Sequence, residues 1–214
     1  MNKPLPHSTS PDEKIHGHGL RMTDQRRAVY DVLMGKRDFH PLSANFLLSK
    51  HLRSHWENYS KGKAEAGMKP DVRDWRVART ICVADDDKTA ERYARTGNNS
   101  PYEFYWSQMW TKMKRGKRTY VFKSHQEQSD DEITLDYVLD NCVIHGSVNK
   151  VVDQILALRE QIGDFGELVY AGMDWVDPAL GKRAMQLMVE AHVQASAGMH
   201  VLVASAARPQ IELV

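Results

Sequence analysis

The sequence has few cysteines, no long apolar run and no excess of either charge. Cys82 and Cys142 are the only cysteines among 214 residues, which excludes a disulfide framework and a four-thiolate zinc site and favours a reducing, cytoplasmic setting. No apolar run approaches the about 20 residues of a membrane helix, and residues 1–10 lack the apolar core of a secretory signal. With 29 Lys and Arg against 28 Asp and Glu, the basic excess of many nucleic-acid-binding proteins is missing.

Motifs of several enzyme classes are missing as well. The sequence contains no Gly-rich phosphate loop, and no nucleophile elbow, HExxH or Ser-x-x-Lys motif. His16 and His18 lie in residues 1–19, whose Pro, Ser, His and Gly content predicts a flexible tail. Because metal ligands need a fixed geometry, no metal site is predicted, and the motifs identify no catalytic residue.

The sequence does contain alternating strand and helix patterns. Helices are predicted from Thr23 to Gly35 and over residues 46–66, 88–95, 148–162 and 177–188, and strands over 76–84, 143–144 and 166–172. Strands joined to helices by short connections are typical of βα units on a parallel sheet. The predicted fold class is therefore α/β.

Residues 101–123 interrupt this alternation with aromatic and basic side chains. Residues 102–123 carry six basic and one acidic side chain, and residues 124–140 carry six acidic and no basic ones. Aromatic and basic residues together can bind single-stranded nucleic acid, but the acidic segment follows immediately and screens the charge. Nucleic-acid binding is therefore not favoured, and the aromatic residues are expected to pack against the sheet.

Gly146 and Ser147 lie between a predicted strand and a predicted helix. Helix N-terminal amides at such a place can cradle an anion. The alternative is a tight turn that needs glycine for its backbone conformation.

Two further pairs of polar or aromatic residues lie at predicted element ends. Asp174 and Trp175 follow the strand over residues 166–172, where barrel enzymes place ligand groups; alternatively, they cap and pack at the start of a helix. Ser43 and Asn45 precede the long helix and are either ligand groups or simple N-caps.

Four stretches are distinctive in their order and spacing: SANFLLSKHLRSHWENYSKGKAEAG, DWRVARTICVADDDKTAERYAR, SPYEFYWSQMWTKMKR and DEITLDYVLDNCVIHGSVNKVVDQILALREQIGDFGELVYAGMDWVDPALGKRAMQLM. Together they resemble the C-terminal part of the luciferase-like flavin-dependent monooxygenases, over about residues 42–193, and the corresponding predicted domain extends over residues 42–195. That family is a (β/α)8 barrel that uses reduced FMN and O2 on small-molecule substrates, often with a flavin reductase as the source of reduced flavin. The resemblance implies an oxidoreductase with FMN as its cofactor.

The resemblance also implies positions for the candidate residues. It places residues 76–84 in the seventh barrel strand and 167–171 in the eighth, with Ser43 and Asn45 after the sixth strand and Asp174 and Trp175 at the active rim. The candidate flavin-binding residues are therefore Ser43, Asn45, Gly146, Ser147, Asp174 and Trp175.

Residues 20–41 read LRMTDQRRAVYDVLMGKRDFHP. This segment resembles the first winged-helix segment of ferric-uptake-regulator-type repressors, which implies a metal-dependent DNA-binding regulator as the alternative function. The recognition helix, wing and metal site of that family have no counterpart in this sequence, and DNA readout needs a second helix in the major groove.

The luciferase-like part is shorter than a whole barrel, which takes about 250 residues. The sequence therefore predicts an incomplete barrel, consisting of its last strands and helices, behind a short helical N-terminal segment. We interpret the chain as a truncated or fused form that does not enclose a flavin by itself. Residues 196–214 stay unassigned.

An incomplete barrel has consequences for stability. Ile81 and Val83 in one strand, and Leu168 and Tyr170 in another, are predicted to face the missing wall and lose their burial. Strand edges would also be left unpaired. The chain is therefore expected to be marginally folded or to associate into a homo-oligomer.

Overall fold

The computed structural model describes residues 40–97, 99–173, 176–195 and 200–204, with the backbone alone from residue 192 onward. The helix predicted near Thr23, the repressor-like segment before residue 40, Asp174 and Trp175 lie outside these residues. The α-helices are α1 (Ser49–Glu65), α2 (Asp87–Ala94), α3 (Pro101–Arg115), α4 (Leu135–Cys142), α5 (Val148–Ile162) and α6 (Pro178–Ala195). The strands are β1 (Leu42–Ser43), β2 (Arg76–Val83), β3 (Val143–Gly146), β4 (Glu167–Ala171) and β5 (His200–Ala204).

The strands form one parallel sheet around β2. β4 pairs with one edge of β2 from Arg76 to Thr80, and β5 pairs with the far edge of β4. The opposite edge of β2 has two successive partners, β1 at Arg76 and Val77 and then β3 from Thr80 to Val83. The described strands do not close into a barrel, and the incompleteness expected from the sequence stays a prediction.

Two apolar clusters cover the two faces of β2. Val77, Ile81 and Val83 pack in the first cluster, with residues of α1, α5 and α6. Cys82 belongs to the second cluster, with residues of α2, α3 and α4. Since successive residues of a strand point to opposite faces, helices cover the central strand on both sides, which explains why seven of its eight residues are buried.

The predicted exposure of four strand residues is wrong. Ile81 and Leu168 are 0% exposed, and Val83 and Tyr170 are 2% exposed. All four lie on the side covered by α1, α5 and α6, so their burial does not depend on a further barrel wall. The marginal stability inferred from their exposure loses its physical basis, while association stays a prediction.

The helix predicted over residues 46–66 begins later, at Ser49. The five residues before it form a loop between β1 and α1, and the Leu47 carbonyl accepts a hydrogen bond from Arg79 of β2 (2.7 Å). This carbonyl is therefore used to attach the loop to the sheet, and the helix begins only after it.

Other boundaries agree with the sequence patterns. The helix predicted from residue 177 is α6, and Asp177 caps it, since its carboxylate accepts from the amides of Ala179 and Leu180 at 3.0 Å each. In α3, Tyr102 and Trp106 are fully buried, as expected of the aromatic segment, whereas Phe104 is exposed and departs from that expectation. β5 lies within residues 196–214, to which the sequence patterns assign no role.

Within the described ranges, no helix combines the length and apolarity needed to span a membrane.

Candidate functional site

The carboxyl ends of β1 to β4 point the same way because their pairings are parallel. Open α/β sheets bind their ligands beyond these ends, since loops and helix N-termini converge there. Ser43, Asn45, Gly146 and Ser147 all follow or end such strands, whereas Asp174 and Trp175 are outside the described residues.

Ser43 is turned into the protein interior. Ser43 is 1% exposed, and its hydroxyl oxygen accepts a hydrogen bond from Trp75 Nε1 (2.9 Å). The same oxygen lies 3.0 Å from His55 Nδ1 of α1. Ser43 thus ties the end of β1 to a helix and to the segment before β2.

Asn45 lies at the carboxyl end of the sheet and is partly exposed. Its side-chain nitrogen donates to Thr80 Oγ1 (2.9 Å), and Thr80 is fully buried at the one position of β2 that pairs with both β3 and β4. In the part of the chain that the structure describes, no group donates to the Asn45 amide oxygen. Among the described residues, this oxygen is therefore an open hydrogen-bond acceptor.

Gly146 adopts a backbone conformation reserved largely for glycine, with φ +147°. A Cβ there would lie 2.7 to 2.9 Å from three carbons of the Lys150 side chain. Both facts support the reading of this position as a tight turn that requires glycine.

The N-terminus of α5 already binds a carboxylate of the same chain, that of Asp87. The Ser147 amide donates to Asp87 Oδ1 (2.7 Å), and hydrogen bonds from the Ser147 amide and hydroxyl lower the pKa of Asp87. Helix N-termini favour such carboxylates. A phosphate at this amide would therefore have to displace Asp87 and would meet its negative charge.

Three consecutive carboxylates after β2 each bind a different helix, and we name them the acidic junction (Asp85, Asp86 and Asp87). Asp85 accepts from Arg183 of α6 at 2.6 and 2.8 Å, and this bond lowers its pKa. Asp86 accepts from the Thr89 amide (2.8 Å) and caps α2. The partners of Asp85 and Asp87 are distant along the chain, whereas Asp86 caps the helix that directly follows it.

The charge of Asp87 is expected to stabilise the folded chain in a pH-dependent way. Because hydrogen bonds from Ser147 hold its pKa below the usual 3.8, and Lys150 and His145 also favour the charged form, the stabilisation is present above 3.8 and is lost as the pH falls through the lowered pKa. Asp87→Asn should therefore unfold at a lower urea concentration than the wild type at neutral pH, and this difference should vanish in acid.

Asp153→Asn is the matched control, since Asp153 is an exposed residue of α5. Its urea midpoint relative to the wild type should not change between neutral and acidic pH. An Asp87→Asn difference that stays constant over the same range would contradict the role assigned to the charge.

Tyr102 was not predicted as a site residue, although its position bears on the site. Its hydroxyl donates to the Ile81 carbonyl of β2 (2.8 Å) and accepts from the Met173 amide just after β4 (3.4 Å). Tyr102 thus joins α3, the central strand and the start of the segment that carries Asp174 and Trp175. An aromatic residue in an amphipathic helix carries no sequence signal for this role.

The two thiols do not contribute chemistry to this site. Cys82 and Cys142 are both buried, and burial raises the pKa of Cys142 to about 12. A thiol in that state is neither a nucleophile nor a metal ligand. Among the described residues, no three His, Cys, Asp or Glu side chains are grouped so that they could hold a metal ion.

The comparison with protein families gives no matching family model. Individual relatives do match. The chain is 32% identical over 160 residues to 3,6-diketocamphane 1,6-monooxygenase of Pseudomonas putida, covering 73% of this chain and 41% of the relative. It is 30% identical over 141 residues to 4-hydroxyprotoasukamycin monooxygenase of Streptomyces nodosus subsp. asukaensis, covering 64% of this chain and 34% of the relative. The chain thus spans 34% to 41% of the length of these relatives.

A solved structure is similar as well. It is a type II Baeyer–Villiger monooxygenase in complex with FMN, the oxygenating constituent of 3,6-diketocamphane monooxygenase from the CAM plasmid of Pseudomonas putida. The two chains superpose with a TM-score of 0.65 at 27% identity, covering 80% of this chain and 45% of the other. The homologues are thus monooxygenases, which supports the resemblance to luciferase-like flavin monooxygenases that the sequence motifs give.

Proposed function

We propose that the chain acts in a luciferase-like, FMN-dependent monooxygenase and that flavin binds at the carboxyl end of its parallel sheet. The observation that carries this proposal is the fold similarity to the FMN-bound Baeyer–Villiger monooxygenase, over 80% of this chain. Ligands of parallel α/β folds bind at this end of the sheet. Oxygen and a small molecule are the proposed substrates.

Asn45 is the described residue that fits a flavin best. Its amide is partly exposed, Thr80 fixes its orientation, and its oxygen has no donor among the described groups. The edge of a flavin ring presents N–H donors and carbonyl acceptors, which an amide side chain complements. Asp174 and Trp175 follow β4 in sequence and stay proposed as residues of the same rim.

Ser43, Gly146 and Ser147 fit direct contact with flavin less well. The Ser43 hydroxyl is bonded in the interior, and the donors of Ser147 face Asp87. We assign these residues to the framework that holds the strand ends, with Gly146 as the turn that lets β3 enter α5.

When bound, reduced FMN supplies the electrons for oxygen activation. The tasks of the chain are to orient the flavin ring through Asn45 and to exclude water from it. A flavin reductase is the proposed source of reduced flavin, and a homo-oligomer in the cytoplasm is the proposed setting.

The test is a titration of the purified chain with FMN, followed by quenching of flavin fluorescence. Saturable binding is expected for the wild type, in contrast to the interpretation from the sequence that the chain does not enclose a flavin by itself. Asn45→Ala should weaken this binding about 10-fold, as the loss of one directed hydrogen bond does. Asn149→Ala is the matched control, because Asn149 is exposed on α5, and it should bind like the wild type.

Circular dichroism of each variant confirms that the fold is kept before the affinities are compared. Absence of saturable FMN binding by the wild type would overturn the proposal. Equal affinities of Asn45→Ala and the wild type would overturn the role of Asn45.

A further inference from the structure

Arg79 is a buried cation in the middle of the central strand. The residue is 3% exposed, and Val77 and Ile81 on either side of it along the same face are fully buried. Buried charges are normally paired, because removing them from water is costly. In the described ranges, however, Arg79 has no carboxylate partner, and burial lowers its pKa.

Two backbone carbonyls take the place of a carboxylate. Arg79 Nη1 donates to the Leu47 carbonyl (2.7 Å), and Nη2 donates to the Asn141 carbonyl (3.2 Å). Asn141 lies in the last turn of α4, where helix carbonyls carry partial negative charge. Within the described part of the protein, Arg79 Nε is buried without a partner.

The position of Arg79 explains this arrangement. One edge of β2 pairs with β1 only as far as Val77 and with β3 only from Thr80. Arg79 therefore lies at the break between the two neighbouring strands. Its guanidinium reaches the loop that leaves β1 and the helix end that precedes β3.

The loop of residues 44–48 is attached to β2 twice. Arg79 holds the Leu47 carbonyl, and the next residue, Thr80, accepts from the side chain of Asn45. The two attachments therefore fix the loop at Asn45 and at Leu47 through successive residues of β2.

We propose that Arg79 is a positioning residue that clamps the β1–α1 loop to the end of α4 and thereby fixes Asn45 at the carboxyl end of the sheet. The part that concerns flavin rests on the proposed function. A planar guanidinium suits the task, because its separate N–H groups reach two carbonyls at once. Lysine offers a single ammonium group, and methionine offers no donor.

The test measures hydrogen exchange of the loop and FMN affinity in Arg79→Met and Arg79→Lys. In Arg79→Met, exchange in residues 44–50 should become about 10- to 100-fold faster than in the wild type, the effect of losing hydrogen bonds to a charged group. Exchange in α5 should change much less. The FMN affinity of Arg79→Met should fall about 10-fold or more. Arg79→Lys keeps the charge, and both its loop exchange and its FMN affinity should lie between those of Arg79→Met and the wild type.

Leu158→Ala is the control for a general loss of stability, because Leu158 is buried in the first cluster on α5. It should speed exchange throughout the fold and leave FMN affinity unchanged. A uniform increase of exchange over the whole fold in Arg79→Met would overturn the role of Arg79 as a clamp. If the methionine variant does not fold, the same outcome in Arg79→Lys would overturn it. Faster loop exchange with unchanged FMN affinity would overturn the link to Asn45. If the wild type binds no FMN, the proposed function fails, while the exchange pattern still decides whether Arg79 clamps the loop.

Discussion

Replacing Trp75 with alanine is expected to lower the free energy of unfolding by about 3–5 kcal/mol, as truncations of large buried aromatic side chains do. Trp75 is 0% exposed. Its ring stacks on Trp56 at 5.9 Å between centroids and meets Phe165 edge-on at 6.1 Å. Alanine would leave a cavity between α1, β2 and the segment before β4, and it would remove the hydrogen bond that Trp75 donates to the Ser43 hydroxyl.

Urea denaturation followed by far-ultraviolet circular dichroism measures this loss without depending on tryptophan fluorescence. Phe104→Ala is the matched aromatic control, because Phe104 is 62% exposed, and it should change the unfolding free energy by about 0.5 kcal/mol or less. Ser43→Ala keeps the Trp75 ring, removes the hydroxyl that contacts Trp75 Nε1 and His55 Nδ1, and should destabilise by about 1–3 kcal/mol. Equal losses in Trp75→Ala and Phe104→Ala would show that the Trp75 cluster does not stabilise the fold.

Gly166→Ala is the second substitution with a large expected effect. A Cβ at Gly166 would lie 1.8 Å from the carbonyl oxygen of Arg73 and 2.4 Å from its carbonyl carbon. The obstacle is backbone, and the Gly166 amide donates to the Trp75 carbonyl on the same segment (2.9 Å). We expect a loss of about 3 kcal/mol, at the upper end of the usual cost of overpacking.

Gly62→Ala is the same substitution in open space. Gly62 lies within α1, and its Cβ would meet nothing within 4 Å. Since alanine favours helix over glycine, this variant should gain about 0.5–1 kcal/mol. Urea midpoints of the two variants should therefore shift in opposite directions, and a Gly166→Ala midpoint at or above that of the wild type would refute the close approach.

Local patterns predicted the central elements well. The β-branched run before the acidic junction locates β2, and the apolar spacing from Val148 to Ile162 locates α5. Both signals arise from neighbouring residues, which the sequence displays directly. Alternation along a strand also tells which residues share a face, but it does not tell which face the helices cover, and the exposure of Ile81 and Leu168 was predicted wrongly for that reason.

Features that depend on distant residues were not predicted. A lone arginine within a strand gives no indication that carbonyls of two other elements will receive it, as happens at Arg79. The approach of Gly166 to Arg73, and the bond between Ser147 and Asp87, likewise join segments far apart in sequence. Ser43 and Asn45 were selected together, and only the structure shows that one hydroxyl faces the interior while one amide lies at the sheet end.

The pairing of β2 with β4 constrains how the chain folds. Val77 pairs with Leu168, and the whole region from α2 to α5 lies between the two strands along the chain. Closing so long a loop is an entropic cost that must be met before the pairing contributes. Helices such as α5 can form early because their contacts are local, whereas the pairing of β2 with β4 joins residues far apart along the chain. Refolding should therefore be slow for a domain of this size, with the sheet completed in the rate-limiting step.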